Sequence, residues 1–258
     1  MRKIIDTHLH LDDKISQDLK VVVNTLDQNL IASNVSRGIV LHLLIQKWSY
    51  KEVGELTMKS QTLKAFQNVN PFLETKYKEL EDGVKNFGYV GLKLHPRSQK
   101  FKLDDPCIVD ICRYAGELTT PVLIDAFPDG NAIMEGFKVN DFSTLAIACP
   151  DTNFIWAHFG GHFVIDFMMV AKRLPNVYLD LSYSWLYYGG SSVVQDLAYA
   201  VKSMRYSKIF YGSDYPDRTI ANSINLCLES FAKFEIEGKD LDKLLFTNAR
   251  DFFGWNDL

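Results

Sequence analysis

Short runs of β-forming, mostly apolar residues return eight times along this chain, and a connecting segment, usually of helix length, follows each. The runs are Lys3–His8, Gly38–Leu44, Ala65–Val69, Tyr89–His95, Val122–Ala126, Phe154–His158, Val177–Leu181 and Ile209–Gly212. Each is short and apolar, as parallel strands covered on both faces are. Several of the segments between them carry one apolar face. Ser16–Ala32 sets Leu19, Val22, Val23, Leu26 and Leu30 together and leaves Asp18, Lys20 and Asp27 largely outside. Asp105–Leu118, Gly161–Leu174, Ser191–Met204 and Ala221–Phe234 have the same character, with Ser16, Asp105 and Ser191 as N-cap candidates. Run starts lie roughly 25–35 residues apart, the period of a strand–helix–strand unit. Eight units without a long insert predict a closed (β/α)8, or TIM, barrel. The tail, Lys239–Trp255, reads as an extra C-terminal helix, and residues 1–258 as one domain. A doubly wound open sheet is the alternative. It advertises a Gly-rich first turn, and the HLHLDDK that follows the first run has no glycine.

Composition narrows the partners. A net charge of −4 and the absence of a basic stripe argue against nucleic acid and against an anionic membrane surface. No stretch approaches the ~20 apolar residues that span a bilayer. The start, MRKIIDTHLH, lacks the apolar run of a signal peptide. Cys107, Cys112, Cys149 and Cys227 form no CxxC pair and read as reduced thiols. The expectation is a cytoplasmic protein acting on a small molecule.

In barrel enzymes the site lies at the C-terminal ends of the strands, so polar residues at those ends are the candidates. The first run ends in DTHLH. Alternation along a strand points His8 and His10 the same way, with Cα atoms about 6.5–7 Å apart. Two imidazoles so placed can share one ion, and Asp6, of the same parity, could orient one of them. Two loop histidines without a shared ligand are the other reading of an isolated HxH. The eighth run continues into YGSDYP, and strand eight of a closed barrel lies beside strand one, so Asp214 faces the two histidines. A carboxylate there can bind a metal and accept a proton from water. The sixth run ends in WAHFGG, where the glycines permit a tight turn and His158 can stabilise a developing oxyanion. The fourth run, GLKLHP, gives Lys93 and His95 shared parity. Lys93 reads as a substrate-anion contact, with a carbamylated bridge between two metals as the other option. His42 is a weaker candidate for the pocket wall.

Together these residues resemble the amidohydrolase superfamily, in its amidohydrolase-related (family 2) branch of small-molecule hydrolases, lactonases and aromatic-acid decarboxylases. The motifs DTHLH, VGLKLHP, PVLI plus a polar residue, WAHFGG, VYLDLS, YGSDYP and LLFTNARDFFG occur in the family's order across nearly the whole chain. The resemblance implies His8 and His10 as metal ligands, His158 as a catalytic or metal-proximal histidine, and Asp214 as ligand and general base. It implies Zn²⁺, with Mn²⁺ or Fe²⁺ as alternatives, and a homodimer as the common assembly. One position departs: the family's histidine at the end of strand five is Asp125 here. Asp125 is expected to ligate the metal itself. The alternatives are an acid behind the ligands, with His158 as third ligand, or a site that has lost its metal.

The function expected is a metal-dependent hydrolase in which Asp214 takes the proton of a metal-activated water attacking a carbonyl, and His158 shares the developing charge. Lys93, Arg97 and Tyr215 are expected to bind substrate, and Trp48, Phe127, Trp185 and Tyr187 to line the pocket with Tyr215. A non-oxidative decarboxylase of a small aromatic acid, a metal-independent lactonase and a catalytically silent binding protein are the alternatives.

Overall fold

A computed structural model describes residues 2–258. All eight expected strands are present: β1 (Ile4–Leu9), β2 (Val35–Leu41), β3 (Leu63–Asn68), β4 (Tyr89–Leu94), β5 (Val122–Ile124), β6 (Phe154–Trp156), β7 (Val177–Asp180) and β8 (Ile209–Phe210). They pair in sequence order, all parallel, in one eight-stranded sheet. The seam between β8 and β1 is closed mostly by the chain just beyond β8. The Thr7 N–H donates to the Tyr211 carbonyl (2.9 Å), the His10 N–H to Tyr215 (2.8 Å) and the Asp214 N–H to His8 (3.0 Å). The result is a TIM barrel.

The register explains the barrel's filling. Leu41 pairs with Phe66, Phe66 with Gly91, Lys93 with Leu123, Leu123 with Ile155, and Ile155 with Tyr178. In-register partners on parallel strands share a face. Ile5, Ile39, Phe66, Leu123, Ile155 and Phe210 therefore form an inner core. Toward the C-terminal ends the same inward rows become polar: Asn68, Lys93, Asp125 and Asp180, all buried. Apolar packing holds the barrel below, and charge collects at the C-terminal rim, the end at which barrel enzymes place their sites. A larger apolar layer lies between strands and outer helices.

Two N-caps differ from expectation, and the third, Asp105, stands at the N-cap position of its helix without a side-chain cap bond. The first helix, Leu19–Ala32, starts after Asp18, whose carboxylate accepts from the Lys20 N–H, while Ser16 accepts from Asp18. Asp105 closes the preceding turn by accepting from the Lys102 N–H. Ser191 accepts from Val193, the first residue of its helix. In each case the side chain bonds a local N–H rather than one two or three residues into the helix. The tail is helical in three consecutive pieces, Gly238–Asp242, a π-helical turn Lys243–Thr247 and Asn248–Phe253. It closes the N-terminal end of the barrel: Phe246, Ala249 and Trp255 join the inner core. All four cysteines are unpaired.

Candidate metal centre and substrate cavity

β1 ends at the rim with register irregularities between Ile4 and Ile5 and between Asp6 and Leu9. Such irregularities re-aim side chains next to sites. His8 is wholly buried and His10 partly so. Their Nε2 atoms lie 3.2 and 3.5 Å from the same oxygen, Asp214 Oδ1. His8, His10 and Asp214 thus bring three potential ligand atoms within 4.8 Å of one another.

The far side of each ring fixes its tautomer. His8 Nδ1 lies 2.8 Å from Asp180 Oδ2, and His10 Nδ1 lies 3.3 Å from the Leu41 carbonyl oxygen. Both partners only accept, so Nδ1 carries the proton in each ring and the Nε2 lone pairs face inward. Burial pushes the His8 pKa down to about 4 against the pull of Asp180 and Asp214, so the ring is neutral at pH 7. Burial pushes the Asp214 carboxyl up, but His8 and His10 outweigh it and hold it below the usual carboxylate range. A neutral His8 and an ionised Asp214 are the protonation states a divalent ion needs, and His10 turns its Nε2 to the same carboxylate oxygen. Buried His8 Nε2 has no hydrogen-bond partner, a cost that an ion would remove. The residues fit a metal.

Asp180, absent from the expected site, is the partner that orients His8. Its other oxygen accepts the N–H of Ser182 (2.7 Å) and of His158 (3.4 Å). Asp6 does not take this part: its Oδ1 accepts the backbone N–H groups of His8 (3.2 Å) and Ser213 (2.9 Å), holding β1 to the β8 end.

His158 sits in a left-handed turn, with φ of 61° at His158, 51° at Phe159, 71° at Gly160 and 58° at Gly161. The two glycines are needed there, since a Cβ at Gly160 would lie 2.1 Å from the Phe167 ring. Asp214 and Tyr183 also have φ near +60°. Left-handed non-glycine residues are strained, and such strain gathers at functional sites. His158 Nδ1 lies 3.2 Å from the Ser182 carbonyl and Nε2 3.2 Å from Asp125 Oδ1. Burial alone would lower its pKa, but Asp125 and Asp214 outweigh burial and raise it, and both ring nitrogens face acceptors.

Asp125 stands apart from the three converging candidate ligands. Its Oδ1 faces His158, and its Oδ2 accepts from Arg97 Nε (3.2 Å) and Nη2 (3.0 Å). Burial pushes its carboxyl up, but His158, His95 and Lys93 hold it well below the usual range. The structure therefore gathers His8, His10 and Asp214 and leaves Asp125 tied to cations. Arg97 is also paired with Asp129.

A cavity of about 460 Å³ opens over this centre, lined in part by His10, His95, Arg97, Phe127, His158 and Asp214. Phe127 and Tyr187 line it as expected, with Tyr183 stacked on Tyr187. The other expected contacts do not reach it. Lys93 is wholly buried on the inward row beside Leu123, beneath the rim, with Asp125, Asp180 and Asp214 as its charged surroundings. Tyr215, Trp48 and Trp185 are buried in the outer apolar layer. Near Tyr215 it is Pro216 and Asp217 that line the cavity. His42 lies behind the wall, its Nε2 3.0 Å from the Trp48 carbonyl.

The amidohydrolase family model matches residues 56–255. The chain belongs to the amidohydrolase family. The matched span contains His95, Asp125, His158, Asp180 and Asp214 but begins after His8 and His10, so the candidacy of these two as ligands rests on geometry. Solved structures share the fold. An uncharacterised TIM-barrel protein from Bordetella bronchiseptica superposes with a TM-score of 0.79 at 16% identity, covering 98% of each chain. A putative 2-pyrone-4,6-dicarboxylic acid hydrolase from Pseudomonas putida gives 0.72 at 17% identity, over 99% of each chain. The 5-carboxyvanillate decarboxylase of Sphingomonas paucimobilis gives 0.65 at 11% identity, over 98% of this chain and 99% of its own. No curated protein matches the chain. Among the described residues no helix is long and apolar enough to cross a membrane.

Proposed function

We propose that this amidohydrolase is a metal-dependent hydrolase of a small carboxylate-bearing molecule, with His8, His10 and Asp214 holding one divalent ion. One observation carries the reading: two Nε2 lone pairs, each fixed by an acceptor on the opposite nitrogen, meet at one carboxylate oxygen. Borderline nitrogen donors with one carboxylate favour Zn²⁺, and Mn²⁺ or Fe²⁺ suit the same set. The ion supplies Lewis acidity that polarises an oxygen and acidifies water.

The chain's own groups do the rest. Asp214 lines the cavity, and in this reading its carboxylate takes the proton of the attacking water. His158, held by Asp125 and Ser182 with its pKa raised by Asp125 and Asp214, stabilises negative charge developing on the substrate oxygen. The aromatic wall of Phe127, Tyr183 and Tyr187 suits a planar substrate. Arg97 pairs with a substrate carboxylate when that carboxylate displaces Asp129, the more exposed of its two acids.

The test combines ion content with turnover. Protein purified without chelators is expected to hold one divalent ion and to hydrolyse a member of a lactone and ester panel built on aromatic acids. Asp214→Asn is expected to lower kcat by at least about 100-fold, the range of a lost general base. Full activity in metal-free protein, or an unchanged kcat in Asp214→Asn, overturns the proposal. Release of CO2 without water consumption assigns the same centre to decarboxylation instead.

A further inference from the structure

We propose that His95 is a further substrate-contacting residue, a neutral imidazole that presents an Nε2–H donor to a substrate oxygen, opposite in role to His8 and His10. The argument begins at the end of β4, where His95 caps the short turn Pro96–Gln99. Its Nδ1 accepts the N–H of Ser98 at 3.4 Å. A ring nitrogen that accepts carries a lone pair, so the proton of the neutral ring sits on Nε2. The competing partner for Nδ1 is Asp125 Oδ2, 3.6 Å away, beyond hydrogen-bond reach and already accepting twice from Arg97.

The ring is held in place. The His95 N–H donates to Gln99 Oε1 (2.8 Å), and that oxygen also accepts from Asn68 Nδ2 (2.9 Å). Gln99 Nε2 in turn donates to the Val69 carbonyl (2.7 Å). β3 and β4 together fix the backbone that carries the imidazole. The ring lines the cavity, and its Nε2 has no protein partner among the described residues. Burial pushes its pKa down to about 4, against the opposing pull of Asp125, which agrees with the neutral ring that the Ser98 bond requires. A neutral imidazole can polarise a carbonyl as a donor, as other barrel enzymes show. His8 and His10 offer lone pairs to a cation, whereas His95 offers a proton to an oxygen, although all three lie at one rim.

This inference rests on the cavity being the substrate site, and its test separates the two. Full-length protein labelled with ¹⁵N-histidine is examined by long-range ¹H–¹⁵N correlation at pH 7.5, with His95 assigned by its loss in His95→Asn. A protonated-type shift at Nε2 and an unprotonated one at Nδ1 are expected. The reverse pattern, or a doubly protonated ring, overturns the proposal whatever the enzyme turns over. Isophthalate, a planar dicarboxylate, then serves as the binding probe. His95→Asn keeps the cap for Ser98 but removes the Nε2 donor, and is expected to weaken isophthalate about tenfold, the loss of one hydrogen bond. His95→Gln, whose amide reaches toward the Nε2 position, is expected to recover part of that. Equal affinity in wild type and His95→Asn overturns the proposal. The ion content and turnover of wild type, measured separately, report on the hydrolase reading alone.

Discussion

At the scale of single residues the site is a set of histidines sorted by what lies behind them. Acceptors behind His8 and His10 make them lone-pair donors, whereas a backbone N–H behind His95 makes it a hydrogen-bond donor. Asp180 is the strongest of these partners, because a buried carboxylate both orients the His8 ring and raises its basicity. Asp180→Asn is expected to weaken divalent-ion affinity 10–100-fold, on the order seen for such partners. Isothermal titration with Zn²⁺ measures it, and an unchanged affinity would show that Asp180 only shapes the fold. His95 also leaves a mark on stability. Its folded pKa, about 4, lies below the unfolded value of 6.5. The unfolded chain therefore binds more protons between those values, and stability falls as pH drops from 6.5 to 4. Full expression of that shift is worth about 3 kcal/mol. His8, also pushed down to about 4, acts in the same direction. Asp6, pushed up to about 7 by burial, acts oppositely, so the wild-type curve alone is a mixture. The difference in unfolding free energy between wild type and His95→Asn isolates one group. Relative to wild type, the variant is expected to gain about 3 kcal/mol between pH 7 and pH 4, measured on metal-free protein by urea titration.

Individual elements place these side chains through close approaches. The chain beyond β8 must pass against β1 and β7 for Asp214 to reach the histidines, and Gly212 is the point of contact. A Cβ there would lie 2.6 Å from His8 Cβ and 2.9 Å from Ser182 Cβ. Neither is the end of a flexible chain, so backbone has to shift. Gly212→Ala is expected to cost about 1–3 kcal/mol, as overpacking does. It should also displace His8, so ion affinity should fall while the circular dichroism spectrum stays that of a folded barrel. A variant that binds Zn²⁺ normally would show that the seam is pliant. The strands themselves were readable from their apolar runs. The helix caps were less so: Asp105 holds its N-cap position, but Ser16 and Ser191 each bond a competing N–H two residues on, and the caps fall at Asp18 and Ser192.

Across the whole molecule the barrel has a polar end and a sealed end. The seal comes from the tail, where Trp255 stacks on Phe253 (4.6 Å between centroids) and lies under the Arg37 guanidinium (4.8 Å). Arg37 also pairs with Asp257 at 2.8 Å. Trp255→Ala is expected to destabilise the protein by about 3 kcal/mol, toward the lower end for a buried aromatic because the site is at the barrel's edge. Chemical denaturation reads this, and the distance from the rim predicts unchanged ion affinity. A loss of affinity would show that the two ends are coupled.

The sequence by itself determined the barrel, the strand ends that form the rim, and the candidacy of His8, His10, His158 and Asp214. Those follow from local pattern: apolar runs of strand length, a repeating period, and alternation that puts His8 and His10 on one face. Tertiary structure decided which groups meet. Asp180 was visible in VYLDLS as an acid at a strand end, yet its bond to His8 spans 172 positions of sequence. Parity placed Lys93 on the inward row but could not say that it ends below the cavity. Asp125 carried a charge suited to an ion, but its direction depends on Arg97 and His158, which belong to other strands' ends. A ligand set depends on where atoms point within a few tenths of an ångström, and only the closed barrel sets that.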